Sequence, residues 1–568
     1  MCILDMSSYP KFNVPYTIAG VGAGVGACTL AYYGSHAYKS RLQKLYDDGI
    51  DLNNQTIEVD PVEKIRRCTF YKNVDIYTYY KQFFPDVKML GDILYHGYKV
   101  SNNGPCIGLS FNDSTSTNEN INFNWLSYSH VLEQVRYIGS YMISCLNLVP
   151  NKSKVGIMSL NRQEWTYVEH ACYMYGFIVV SLYTTYDSQT VLNLLQKTST
   201  DILFVDNVQR IEKIKSNLFD IGIKHIISMD DLPITDNNNS DIKTFQHVLE
   251  SGKENLCPRP YFESNNIATF IFTSGTTGKL SLINVCEPKI AMLSHENILS
   301  TIKSDYERKQ RARISGTPSD RHLSFLPMPH LYERMVLLVT FINGSKVVYC
   351  PQPEKLLEYY TVVKPSRLVM VPRLLNKVYD TIMNEAGKSK IKHFLIKQAL
   401  QNEQPSLFTK LIFRKVRRLF GNEAISMFTG SAPVTPDVLH FFRIALNIPV
   451  AEGYGQTETS AAGTTTHIID QSPGTVGSPG CTVEIKLIDV SGTNYYKENN
   501  QGEICIRGPC VFKGYFGDEK KTRETIDEDG WCHTGDIGEW RPNGSLRVID
   551  RCKNIFKLSQ GEYIGKLN

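Results

Sequence analysis

A hydroxyl- and glycine-rich loop placed directly after a buried strand constrains this chain more than any other feature. Residues 267–272 form a short apolar run of strand length, interrupted only by Thr269, and Thr273-Ser274-Gly275-Thr276-Thr277-Gly278 follows without a spacer. That order suits phosphate. Glycines let successive backbone N–H groups converge on an anion, and Ser/Thr hydroxyls add donors. The loop is not a Walker A sequence, because no Gly-Lys-Ser/Thr closes it in register. The same composition also suits an ordinary surface loop, so its meaning depends on the rest of the chain.

The surroundings of the loop predict α/β layers. Apolar runs at 155–158, 202–205 and 368–371 read as strands, and amphipathic helical stretches separate them from about residue 125 to 480. Residues 483–550 are strand- and turn-rich, which predicts a small β subdomain with a hairpin turn at Asn543-Gly544. Leu94-Tyr95-His96-Gly97 reads as a helix end with a glycine cap. Residues 113–122 and 236–241 read as polar surface loops, and no internal repeat is present.

Four further segments carry chemistry. They are Leu326-Pro327-Met328-Pro329-His330-Leu331-Tyr332-Glu333-Arg334, Thr429-Gly430-Ser431-Ala432-Pro433, Glu452-Gly453-Tyr454-Gly455-Gln456-Thr457-Glu458-Thr459, and Gly530-Trp531-Cys532-His533-Thr534-Gly535-Asp536 with Asp550-Arg551-Cys552-Lys553 beyond it. Tyr454 offers a flat ring for a purine. Thr457 can donate to a phosphate oxygen. Glu458 is a hard oxygen ligand suited to Mg²⁺. Asp536 can accept both ribose hydroxyls, and Arg551 can clamp ribose or phosphate oxygens. Each has a plain structural alternative, such as a core tyrosine or a helix-capping aspartate. As an ordered set they describe a nucleoside-triphosphate site with a metal.

This set resembles the adenylate-forming superfamily, and within it the long-chain fatty acid–CoA ligases. Further likeness comes from Asn161-Arg162-Gln163-Glu164-Trp165, Val371-Pro372-Arg373, and residues 554–563; the resemblance covers about residues 88 to 563. It implies two half-reactions. A fatty carboxylate attacks the α-phosphate of Mg-ATP to give acyl-adenylate and pyrophosphate, and the coenzyme A thiol then displaces AMP. By the same resemblance Thr273, Ser274, Gly275, Thr276, Thr277 and Gly278 hold the β,γ-phosphates, with Lys289 reaching toward them. Gly430, Ser431 and Ala432 line the adenine and acyl-carbonyl region. Tyr454 stacks on adenine beside Gly455 and Gln456, Thr457 bonds the α-phosphate and Glu458 holds Mg²⁺. Asp536 takes the ribose hydroxyls with help from Arg551, and Lys553 marks the hinge. His330 lies near the acyl carboxylate, although a satisfied buried histidine is the competing reading. The work of such a site is positioning and charge neutralisation around the reacting phosphate.

The implied organisation is a membrane anchor and juxtamembrane segment over 1–45, an AMP-binding domain over 46–550, and a hinge with a stub of the C-terminal domain over 551–568. Two departures from the family pattern stand out. Residues 280–287 interrupt the loop, and removing them gives Thr-Ser-Gly-Thr-Thr-Gly-Lys-Pro-Lys. Extra loop length costs little free energy, but Lys289 must still reach the phosphates. The sequence also ends at Asn568, so the expectation is that the C-terminal lid domain, on the order of 100 residues, is largely missing. The chain as written is then expected to bind ATP but make little acyl-CoA. A non-catalytic remnant that binds ATP or acyl chain, and a ligase for another carboxylic acid, are the alternative readings.

Composition excludes other classes. A net charge of +4 without an aromatic-interleaved basic stripe argues against nucleic acid. Fourteen cysteines without Cys-x-x-Cys spacing argue against zinc and a disulfide framework. Residues 16–33 carry no charge and approach the length of a bilayer span; Gly20/Gly24 and Gly22/Gly26 permit close helix approach. Lys39, Arg41 and Lys44 follow this stretch, against Lys11 before it, so the expected orientation puts the catalytic body in the cytosol. The endoplasmic reticulum or another endomembrane is the expected membrane, which the charges do not specify. A cleaved signal peptide and a glycine-rich arm compete with the anchor. A dinucleotide-type glycine run does not, because no strand–helix unit with an acidic partner follows.

Overall fold

The computed structural model describes residues 49–110, 123–231, 242–273, 288–402, 404–557 and 563–565. Its first sheet runs Lys289–Ser294, Ile267–Thr273, Ile178–Leu182, Lys154–Met158, Ile202–Val205, His225–Ser228 and Ile242–Thr244 in spatial order. All neighbours are parallel except the first pair. Every residue of Ile178–Leu182 and Ile202–Val205 is buried, as expected where helices cover both faces of a parallel sheet. Alternation sorts the side chains into two cores. Val179, Ile202 and Phe204 enter one; Ile178, Val180, Leu203 and Val205 enter the other.

A second layer combines the strands Arg321–Ser324, Lys346–Tyr349, Pro105–Ser110 and Phe123–Ser127 with Arg367–Met370, Ser426–Gly430, Val450–Gly455, Gly463–Thr465 and Ser478–Pro479. The amide of Ser366 donates to the Arg321 carbonyl at 3.0 Å and joins the two groups. The strands predicted at 155–158, 202–205, 267–272 and 368–371 are all present, with ends within a residue or so.

The β subdomain is antiparallel and six-stranded among the described residues: Thr56–Asp60, Ile65–Cys68, Glu484–Ile488, Gln501–Arg507, Cys532–Trp540 and Leu546–Arg551. The Asn543-Gly544 turn forms as predicted: Gly544 takes φ +76° and its amide donates to the Arg541 carbonyl at 2.9 Å. Its first two strands come from the other end of the chain. Gln55 N–H donates to Asn543 O at 2.9 Å, and the Thr56 hydroxyl to Gly544 O at 2.7 Å. Arg67 pairs with Glu484, and Arg66 lies 5.3 Å over the Trp540 ring.

One expectation needs correction. Gly97 does not cap a helix, since the helix Ile93–Val100 runs through it. A Cβ there would stand 2.3 Å from the Phe341 carbonyl and 2.5 Å from the Tyr128 ring. The glycine permits close approach to the helix Leu331–Ile342, a tertiary demand rather than a local one. The predicted span at 16–33, the polar loops at 113–122 and 236–241, and residues 274–287 lie outside the described residues. Among the described residues no helix is long and apolar enough to cross a membrane, and the described cysteines are free.

Candidate active site

The ends of Ile267–Thr273, Ser426–Gly430 and Val450–Gly455 open on a cavity of about 1240 Å³. Ligands of open α/β sheets bind at such strand ends. Thr273 is the last residue of its strand and pairs in register with Lys289. Both borders of the interrupted loop are therefore fixed at the cavity wall. The Thr273 hydroxyl is buried with no hydrogen-bond partner among the described residues, an orphaned donor where an anion is expected. Ser274, Gly275, Thr276, Thr277 and Gly278 lie outside the described residues.

Glu458 sits on the 3₁₀ turn Thr457–Thr459. The Gln456 amide donates to Thr459 Oγ1 at 3.1 Å, and Ser460 and Ala461 take left-handed backbone angles just after the turn. The Phe512 amide pins the Glu458 carbonyl at 2.9 Å. Tyr515 donates its hydroxyl to Glu458 Oε1 at 2.6 Å. Burial, with the Glu458 charge beside it, raises the Tyr515 phenol pKa and keeps it a donor. Lys289 Nζ lies 4.8 Å over the same ring. Thr273, Lys289, Thr457, Glu458 and Tyr515 thus line one corner of the cavity.

A second corner is built on the β subdomain. Asp536 and Arg551 pair across neighbouring strands, and Arg551 Nε lies 3.1 Å from Asp536 Oδ1. Asp536 Oδ2 accepts from the Tyr454 hydroxyl at 2.8 Å and from Gln456 Nε2 at 2.6 Å. The carboxyl is buried, which raises its pKa, and by accepting from the Tyr454 hydroxyl it fixes the outer edge of that ring. Tyr454, Gly455, Gln456 and Arg551 border the cavity, with Asp536 behind them. Gly430 and Ser431 border it too, whereas Ala432 follows as an exposed residue off that wall. A Cβ on Gly430 would come within 2.9 Å of the Gly453 carbonyl, so the close approach of these two strands requires glycine at 430. Lys553 falls in the turn Cys552–Asn554 at the end of this corner.

The third region is apolar. His330 caps the helix Leu331–Ile342, and its Nδ1 accepts the Tyr332 amide at 3.1 Å, which leaves Nε2 as the second polar atom of the ring. His330 is exposed to the cavity rather than buried in the core, and the protein around its ring still keeps its pKa below the ordinary histidine value by desolvation. Tyr332, Met335, Val336 and Val339 fall on one face of that helix and continue the wall, together with Val369 and Phe428. The neighbouring Glu333 and Arg334 do not join the site. Glu333 meets His322 at 3.0 Å in the core, and Arg334 pairs with Glu169 and bonds Tyr173 at 2.7 Å and Thr269 at 3.0 Å.

Sequence reasoning missed Tyr515, His533 and Glu503, which also border the cavity. His533 Nδ1 lies 3.7 Å from Cys505 Sγ and 3.8 Å from Glu503 Oε2, contacts that raise its pKa well above the usual histidine range. Burial in turn raises the Cys505 thiol. His533 lies within the motif segment 530–536, where sequence reasoning assigns it no role; Tyr515 and Glu503 carry no local signal, because each acquires its place through strand pairing or tertiary approach.

The fold and cavity define an α/β nucleotide-site protein of the adenylation type. Comparison with known proteins agrees. The family model for AMP-binding enzyme matches residues 112–516. Rat long-chain-fatty-acid–CoA ligase 5 (Rattus norvegicus) is 37% identical over 537 residues, 91% of this chain and 75% of the relative. Human long-chain-fatty-acid–CoA ligase 1 (Homo sapiens) is 34% identical over 583 residues, 99% and 79% of the two chains. Among solved structures, the adenylation domain of a carboxylic acid reductase from Segniliparus rugosus, in complex with AMP and a co-purified carboxylic acid, superposes with TM-score 0.66. It is 20% identical, with 84% of this chain and 76% of that one covered, and shows the same fold. The chain belongs to the AMP-binding enzymes, and within them to the long-chain fatty acid–CoA ligase family.

Proposed function

We propose that this chain activates long-chain fatty acids to acyl-CoA at the expense of ATP, by way of an acyl-adenylate. The observation that carries the reading is the continuity of one cavity. It runs from the Thr273–Lys289–Glu458 corner, past Tyr454 and Arg551, to the apolar face of Leu331–Ile342 beyond His330. A triphosphate, a purine nucleoside and a hydrocarbon tail are the three chemistries those walls suit.

In this reading Lys289 neutralises the phosphates and the Thr273 hydroxyl donates to them. The Tyr454 ring, fixed through Asp536, forms the adenine wall, and Arg551 orients ribose or phosphate oxygens. His330 Nε2 meets the acyl carboxylate and holds it for in-line attack on the α-phosphorus. That attack forms the acyl–phosphate bond and expels pyrophosphate. The thiol of coenzyme A then takes the acyl group and releases AMP. Glu458 fits a magnesium ion, which binds through one or two carboxylates plus substrate phosphates. Tyr515 engages only one of its oxygens, and no cluster of three or more His, Cys, Asp or Glu side chains forms a separate cage among the described residues. Such an ion supplies charge neutralisation as pyrophosphate departs.

The test pairs binding with turnover. A non-hydrolysable oleoyl-adenylate analogue should bind and raise the melting temperature, and oleate should stimulate ATP–pyrophosphate exchange. Glu458→Ala should lower exchange by about 100-fold or more while leaving the melting temperature close to that of the parent. Failure of the analogue to bind would refute the site. Exchange by Glu458→Ala at the parent rate would refute its role.

A further inference from the structure

Between residues 388 and 418 the chain carries nine lysines and arginines against one acidic residue, Glu403, although its net charge overall is only +4. Helical pieces at Lys390–Leu400, Leu407–Ile412 and Arg414–Leu419 pack onto the core through Ile396, Ala399, Phe413 and Val416. Their outer faces hold large apolar side chains in water. Ile391 is 71% exposed, Phe394 60%, Leu407 75% and Leu411 67%. Leu407, Lys410, Leu411, Arg414 and Arg418 are all exposed and recur at helical spacing, so apolar and cationic groups alternate along one side.

Scattered exposed leucines need no explanation, but four large apolar side chains on two adjoining helices within a basic field do. The charge decides between occupants. A second copy of the chain would bring the same cations face to face. A bilayer with anionic headgroups complements both parts: lysine and arginine meet phosphate and carboxylate, while the apolar side chains enter the boundary between headgroup and acyl chain. We propose that the 388–418 face docks this protein on the surface of an anionic phospholipid bilayer. The inference rests on this face alone, and depends neither on the acyl-CoA ligase reading nor on residues 16–33.

The test must read the patch itself. Phe394→Trp in the full chain places a reporter on it, with the unsubstituted chain supplying the background of native tryptophans. Vesicles of about seven parts phosphatidylcholine to three of phosphatidylserine should shift the added emission to the blue. Brominated acyl chains should quench it. Pure phosphatidylcholine should do neither. Adding Lys410→Glu, Arg414→Glu and Arg418→Glu should weaken the response to anionic vesicles by about 100-fold or more without moving the melting temperature. No shift with anionic vesicles overturns the proposal, as does an equal shift with neutral ones. A shift that tracks protein concentration without vesicles would instead indicate self-association, and overturns it too. Should the triple variant fail to fold, the Phe394→Trp chain alone still decides.

Discussion

Arg334 and Arg551 both belong to segments that the sequence marks as functional, and both pair with a carboxylate, yet they stand in opposite surroundings. The Arg334 side chain is 1% exposed and is satisfied by Glu169, Tyr173 and Thr269 within the core. The Arg551 side chain is 57% exposed at the rim of the cavity, and only its partner Asp536 is buried. A motif therefore marks a place in the fold, and burial decides whether a residue there supports the scaffold or meets a ligand. A guanidinium has five N–H donors, so three protein bonds alone would not exhaust it; burial keeps the remaining donors of Arg334 from any ligand, whereas those of Arg551 at the rim stay accessible.

Breaking the buried pair should have the largest effect. Arg334→Met strands the Glu169 charge and should cost about 3–5 kcal/mol in denaturant unfolding, with Arg334→Met/Glu169→Met recovering most of it. A loss below about 1 kcal/mol would show that burial does not separate the two arginines in the way described.

Glu452 sharpens the comparison as a buried carboxyl with weaker compensation. Burial raises its pKa to about 7, against the opposing pull of Arg443. Between the ordinary value of 4.5 and about 7 the folded state binds more protons than the unfolded one. Its favourable contribution is thus complete below pH 4.5 and is lost as pH rises through 7. Glu452→Gln should match the parent near pH 4.5 and exceed it by up to ~3 kcal/mol at pH 8. A stability difference that does not change with pH would contradict this.

The smallest effect on stability is expected at the rim. Arg551→Gln should change unfolding free energy by less than about 1 kcal/mol, because the guanidinium is mostly in water and the buried Asp536 keeps its bonds from Tyr454 and Gln456. Its effect should appear in ligand affinity, with ATP binding by calorimetry weakened about tenfold. An Arg551→Gln chain that unfolds easily but binds ATP normally would reverse the assignment of the two arginines.

What the sequence made legible follows the range of the forces involved. Strands of the parallel sheet, such as Ile202–Val205, are continuous apolar runs because both faces are buried, and the Asn543-Gly544 turn is set by local backbone demands. Tyr454, Gln456, Glu458 and Arg551 were readable as a set, and they do share a cavity. Gly97 was misread because the helix that presses on it lies more than 200 residues away. Tyr515 went unseen because its place at Glu458 is likewise set by tertiary approach. The burial that sets Arg334 apart from Arg551 is likewise a property of the assembled layers.

The hairpin Thr56–Asp60 and Ile65–Cys68 has a consequence in time. It emerges early from the ribosome, but the strand it needs, Glu484–Ile488, comes more than 400 residues later. At about 5–20 residues per second the nascent hairpin waits for roughly 20 to 80 seconds with an unpaired edge. Such an edge is a template for wrong pairing, so the yield of this protein should depend on what shields its first strands during synthesis.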